Sequence, residues 1–267
     1  MDRIVCSWCQ YQDDVSRTTC STCGAPLDVA NVVSRAGWRA APRLREMTEF
    51  RVGNTSSTCQ VSGEVVPVAE FALTEHDRVF FEQHTVLWKE RLVSLHGQSL
   101  ATKNKRRIAG MPYAVVQAQG PGRIALTRDA SGELVVLPLH PGIELDVRGH
   151  SFIAASMNVS YDFIRITGLA NVLHGGNGMY IDRFVARDTP GLLILHGNGN
   201  VFDRRLAQGE AIQVEPGGFL YKDPSVTMNT VKVPLGGGFG HRNAYMAELA
   251  GPGRVGIQSM YVHHHTD

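Results

Sequence analysis

One pattern recurs three times along this 267-residue chain and limits what it can fold into. The stretch Gly142-Ile-Glu-Leu145-Asp-Val147-Arg-Gly-His150-Ser-Phe152-Ile153 has a downstream counterpart, Gly209-Glu-Ala-Ile212-Gln-Val214-Glu-Pro-Gly217-Gly-Phe219-Leu220. A third copy stands upstream at nearly the same spacing, His76-Asp-Arg-Val79-Phe-Phe81-Glu-Gln-His84-Thr-Val86-Leu87. Each copy places apolar residues two apart, then a polar turn, then an apolar pair. Period two belongs to a half-buried strand, so each copy reads as strand, turn, strand. The flanks recur too. Ser62-Gly63-Glu64-Val65 matches Ser131-Gly132-Glu133-Leu134, and Gly120-Pro121-Gly122-Arg123-Ile124 matches Gly251-Pro252-Gly253-Arg254-Val255. Asp188-Thr-Pro190-Gly191-Leu192 fills the corresponding place between them, and Tyr113, Tyr180 and Tyr245 each precede such a turn. A unit of about 67 residues with one apolar face cannot bury it alone and must pack on its sisters. The 28 glycines and 12 prolines, set among short Val, Ile and Leu runs, agree with many strands and tight turns. Alternation at Leu145 and Val147, Ile164 and Ile166, Ile212 and Val214, and Val231 and Val233 sets one strand face toward a core. No amphipathic helix longer than about two turns is expected.

The sharpest chemical signal lies ahead of the repeats. Cys6-Ser7-Trp8-Cys9 and Cys20-Ser21-Thr22-Cys23 are two C-x-x-C hooks with ten residues between them. Four thiolates fill a tetrahedral zinc shell and leave no open position for chemistry. Gly24 follows the second hook, where a metal knuckle calls for positive φ. Disulfides would need an oxidising compartment. Met1-Asp2-Arg3-Ile4-Val5 runs straight into polar sequence with no apolar export segment, so a cytoplasmic, reducing setting is expected. A redox C-x-x-C would need a βαβ setting that the neighbouring sequence lacks. The expectation is a compact structural zinc ribbon held by Cys6, Cys9, Cys20 and Cys23, with Trp8 and Tyr11 as its exposed contacts.

Three parts follow: a ribbon over 1–27, an arginine-rich linker over 28–46, and a three-unit body over 47–262, the units running roughly 47–118, 119–186 and 187–262. The linker carries Arg35, Arg39, Arg43 and Arg45 with no acid between Val29 and Arg45, and reads as a tether with at most one helical turn. Twenty-six basic residues against 25 acidic ones give a net charge of +1, so no global field favours nucleic acid or an anionic membrane. The longest apolar runs, such as Gly191–Leu195, are too short to span a bilayer, while peripheral membrane association stays open.

The blocks Glu82-Gln-His84-Thr-Val-Leu-Trp88, Gly120-Pro-Gly-Arg-Ile and Gly251-Pro-Gly-Arg-Val resemble the altered-inheritance-of-mitochondria family, whose bacterial members are similar to the tryptophan RNA-binding attenuation protein. The resemblance runs from about Met47 to Tyr261. It implies three β-sandwich-like units around a pseudo-threefold axis, in the double-stranded β-helix class, and a link to stress response or membrane-associated assembly. It supplies no catalytic residues, and the ribbon and linker lie outside it.

Other constellations carry less. His84 and His150 occupy equivalent places, but Gly217 stands in the third unit, so an axial metal would lack a ligand and turn roles are expected. His174 and His241 have no carboxylate or thiolate nearby in sequence. The runs Gly175–Gly178 and Gly236–Gly240 lack the following helix and Lys-Ser/Thr of a phosphate loop. His263, His264 and His265 read as a polar tail, and Cys59 as a small buried hydrophobe. Lys103, Lys105, Arg106 and Arg107 form a basic loop that reads as solvated or, with the linker, as a phosphate-contacting surface. Nucleophile motifs are absent. The sequence thus points to a non-enzymatic all-β scaffold for protein interaction or self-association. The alternative is a nucleic-acid-binding protein using ribbon, Arg35, Arg39 and the basic loop.

Overall fold

The alternating runs fold as strands. In the computed structural model of the chain, the described residues are 3–33, 39–40, 48–53, 55–100, 103–108, 114–165, 180–235 and 243–260. Arg35, Arg43, Arg45, Tyr113, Ile166, His174, the two glycine runs, His241 and the three terminal histidines lie outside them.

The ribbon contains β1 (Arg3–Val5), β2 (Gln12–Asp14) and β3 (Val32–Val33), ordered β2-β1-β3 around buried Ile4 and Val33. Next comes β4 (Arg39–Ala40), within the stretch expected to be a tether. A hairpin of β5 (Thr48–Arg51) and β6 (Thr58–Ser62) precedes the repeats.

Six strands then occur three times. The first set is β7 (Val68–Leu73), β8 (Arg78–Phe81), β9 (Val86–Lys89), β10 (Ser94–Ser99), β11 (Ala114–Gln119) and β12 (Gly122–Thr127), with the short helix α1 (Lys103–Ile108) between β10 and β11. The second is β13 (Gly132–Leu139), β14 (Glu144–Val147), β15 (Phe152–Ser156), β16 (Val159–Arg165), β17 (Tyr180–Ala186) and β18 (Gly191–Asn198). The third is β19 (Val201–Leu206), β20 (Ala211–Val214), β21 (Phe219–Lys222), β22 (Thr227–Pro234), β23 (Asn243–Ala250) and β24 (Gly253–Gln258).

Every set pairs the same way, all antiparallel: first strand with sixth, second with fifth, third with sixth, and fourth with fifth. Successive sets join by one further pairing, the second strand of one set to the third strand of the next. This gives β8 with β15 and β14 with β21. The resulting sheets are β5-β6-β7-β12-β9, β10-β11-β8-β15-β18-β13, β16-β17-β14-β21-β24-β19-β4 and β20-β23-β22.

Three apolar clusters lie between these sheets. One joins Phe71, Ile124 and Leu126 of the first sheet to Phe81, Ala154 and Ile194 of the second. Another joins Phe80, Phe152, Leu193 and Leu195 of the second to Leu145, Phe184 and Tyr221 of the third. The last joins Ile181, Phe219 and Val255 to Met228, Ala247 and Leu249 of the three-stranded sheet. The inner sheets therefore have apolar partners on both faces, which is why β15 is buried throughout and β18 nearly so. The sequences of β15 and β18 start as continuous apolar runs rather than alternation for the same reason.

The two Gly-Pro-Gly-Arg blocks make the same turn before β12 and β24. Gly120 and Gly251 are required by close approach: a Cβ there would stand 2.1 Å from the Thr74 carbonyl oxygen and 2.4 Å from that of Ala207. Cys59 is fully buried in the first cluster, and burial pushes its thiol pKa up. No helix among the described residues is long and apolar enough to cross a membrane.

Candidate metal centre

The cysteine hooks form two matching loops. In the first, the Cys6 amide donates to the Tyr11 carbonyl at 2.9 Å and the Gln10 amide to the Cys6 carbonyl at 2.9 Å. In the second, Cys20 donates to Ala25 at 2.8 Å and Gly24 to Cys20 at 2.9 Å. The residue after each second cysteine takes positive φ, 61° at Gln10 and 72° at Gly24. Glycine adopts that conformation freely; at Gln10 a side-chain amide bond to the Ser7 carbonyl, 3.1 Å, accompanies it.

This geometry turns all four sulfurs inward, within 4.8 Å of one another. Cys6 and Cys23 sulfurs lie 3.6 Å apart, Cys9 and Cys20 sulfurs 3.5 Å. A disulfide needs about 2.05 Å. A tetrahedron of thiolates about 2.3 Å from one ion has edges of about 3.8 Å, close to the observed spacing. The donor set fits a single metal ion.

The sulfurs also resist sharing negative charge on their own. Amide donors, the Cys9 amide first, lower the Cys6 pKa to about 7. The Tyr11 amide works the same way on Cys9, but burial and the Cys23, Cys20 and Cys6 sulfurs outweigh it and raise that thiol to about 12. A central cation relieves this repulsion and lets all four ionise together. Asp13 locks the hooks: it accepts from the Ser21 amide at 2.9 Å and the Ser21 hydroxyl at 2.7 Å, bonds that hold its carboxyl below the usual range. An aspartate on β2 facing the ring of cysteines was the missed signal in the sequence.

At the rim, Trp8 is 80% exposed and Tyr11 48%, so the two expected contact residues do stand free of the fold. Behind the ribbon, Val5, Gln12 and Val33 face Pro138, Glu144, Arg204 and Arg254 across a cleft of about 1080 Å³. The linker is more than a tether, since β4 pairs with β19 through Ala40 to Phe202 and Arg39 to Asp203.

The basic run is corrected by the structure. Lys103, Lys105 and Arg107 are exposed on α1, but Arg106 is fully buried and unavailable to any partner. Its guanidinium lies 4.0 Å over the Tyr161 ring, 3.3 Å from Asp182 and 2.6 Å from the Asp162 carbonyl. An ion removed from water needs a close counter-charge, and Asp182 supplies it while the Tyr161 face covers the cation. Asp182 stands inward in the Tyr180–Ala186 strand, and that inward charge was the hint of a buried pair. Arg35 lies outside the described residues, and for Arg39 only the backbone is described. His84 sits on a short 3-10 turn, Gln83–Thr85, and His150 on a turn with φ 65°. A third such turn, Pro216–Gly218, carries Gly217.

Comparison with known proteins agrees with this architecture. A crystal structure of a Streptococcus pyogenes protein, determined by a structural genomics consortium, superposes with a TM-score of 0.58 at 16% identity, covering 77% of this chain and 94% of that one. No curated protein matches significantly. The family pattern described as mitochondrial biogenesis AIM24 matches residues 59–260, which span the three six-strand sets and leave the ribbon outside. The chain belongs to the AIM24 mitochondrial biogenesis family.

Proposed function

We propose that the protein is a non-enzymatic scaffold in which a zinc-clamped ribbon on a three-unit β body presents a binding face to a protein partner. One observation carries this reading: four protein sulfurs close the metal cage, and Trp8 projects from its rim into solvent. A cage completed by protein ligands has no position for water or substrate, so its metal folds the ribbon rather than performing chemistry. Soft thiolates in tetrahedral array favour zinc over magnesium or calcium, which take oxygen ligands. An exposed tryptophan beside an exposed tyrosine, on a loop pinned by metal and hydrogen bonds, is the type of rigid aromatic anchor around which binding hot spots form.

The nucleic-acid alternative is weaker with Arg106 buried, since its basic run keeps three surface cations rather than four. The test combines metal analysis with cross-linking in cells. The expected result is one zinc per chain, and a cross-linked partner that is retained by wild type and lost when Trp8→Ala and Tyr11→Ala are combined. Absence of zinc, or an unchanged partner set in the double variant, would refute the reading.

A further inference from the structure

The junction that links successive sets is built twice, and the first and third sets each carry one half of it that is unused among the described residues. In the first junction Phe81 faces Ala154 and Phe80 faces Ala155. In the second Val147 faces Tyr221 and Asp146 faces Lys222. These pairs are structurally equivalent: one and the same step along the repeat relates Phe81 to Val147 to Val214, and Trp88 to Ala154 to Tyr221. Within the sets the pairing agrees, since Trp88 faces Ala125 on β12 just as Ala154 faces Ile194 on β18 and Tyr221 faces Gly256 on β24. A third junction would set β20 beside β9 with Val214 opposite Trp88 and Gln213 opposite Lys89. Among the described residues it is not formed. β9 ends one sheet, and β20 ends another.

Burial marks both strands as halves of an interface. At the built junctions the third-strand positions Ile153 and Ala154, and Leu220 and Tyr221, are buried. Their counterparts on β9 are equally apolar yet open to solvent, Leu87 at 53% and Trp88 at 41%. On the second strands, Val79 and Phe81, and Leu145 and Val147, are buried, whereas Ile212 and Val214 of β20 are only half-buried. An unprotected strand edge with apolar side chains is a template for pairing with another chain. Neither edge carries a proline. The register shift where β9 meets β12 recurs where β15 meets β18 and β21 meets β24, so it is part of a working junction rather than a block to one.

We propose that the protein assembles head to tail with further copies of itself, β20 of one copy adding antiparallel to β9 of the next, Val214 against Trp88 and Gln213 against Lys89. The two edges differ, so the contact is heterologous: each copy uses one edge on each neighbour, and the array closes as a ring or extends. This deepens the self-association side of the scaffold reading but uses no residue of the ribbon. It is read on purified protein, so its failure is distinct from loss of the ribbon's partner.

The experiment uses full-length, metal-loaded protein and measures mass in solution across a range of concentration. Trp88→Asp blocks only the β9 edge, and Gln213→Pro only the β20 edge; Gln213→Lys, which sets a lysine against Lys89, replaces the proline should circular dichroism show lost strand content. Wild type is expected as an oligomer of three or more chains at high concentration, and each variant alone as a monomer. Mixed in equal amounts, the variants retain one good edge each and are expected to form a one-to-one dimer and nothing larger. A wild type that stays monomeric, a folded Trp88→Asp protein of unchanged oligomer size, or a mixture that stays monomeric or grows beyond two chains would overturn the proposal.

Discussion

Glu82 is buried at the end of β8, with His84 Nε2 3.5 Å from its carboxylate. Burial, reinforced by the Asp182 charge, raises its pKa from 4.5 to about 7, although Arg128 and Arg106 pull the other way. The folded state therefore holds a proton between pH 4.5 and 7 that the unfolded chain releases, and stability falls as pH rises through that window. Glu82→Gln removes this residue's share of the dependence; buried Asp182, likewise raised by burial to about 7, keeps its own. Urea unfolding from below the ordinary carboxylate range to just above neutrality should show the variant gaining on wild type by up to about 3 kcal/mol at the upper end. The comparison of variant with wild type matters because His196 acts oppositely: burial lowers its pKa to about 4, so its contribution rises with pH up to the ordinary 6.5. Such residues were the least legible in the sequence. Arg106 looks like its neighbours Lys105 and Arg107 in a basic run, and its partner Asp182 is 76 residues away.

At the scale of elements, the ribbon was the part most readable in advance, because its geometry is local. Two hooks, a positive-φ residue after each and a short spacer are all contained between Cys6 and Gly24. Few apolar side chains back it up; Ile4 and Val33 supply its small core. With the zinc proposed above in place, metal binding would supply most of its folding free energy, on the order of ten kcal/mol. A strong chelator should abolish amide protection over residues 3–33 while strands of the three large clusters keep theirs, which hydrogen exchange would resolve segment by segment. Loss of protection throughout the body would mean that ribbon and body fold as one unit. What escaped the sequence is β4, a minimal strand whose pairing depends on the edge of β19, far downstream in the third unit.

For the whole molecule, the threefold recurrence was legible and the way the units join was not. Period and spacing report which residues share a strand face, but a junction pairs the second strand of one unit with the third of the next, and Val79, Leu145 and Ile212 look alike in sequence whether covered or bare. If β20 and β9 do meet between copies, folding is linked to association, and the thermal midpoint should climb with protein concentration. Calorimetry would find the climb in wild type and a fixed midpoint in Trp88→Asp. The β4 strap has a consequence at this scale. By fastening Arg39 and Ala40 to the third unit, it ties one ribbon to within a few residues of that unit in every protomer. A line or circle of protomers then displays its tryptophans at regular intervals, and a target that grips each one feebly is held firmly by avidity once several are engaged together.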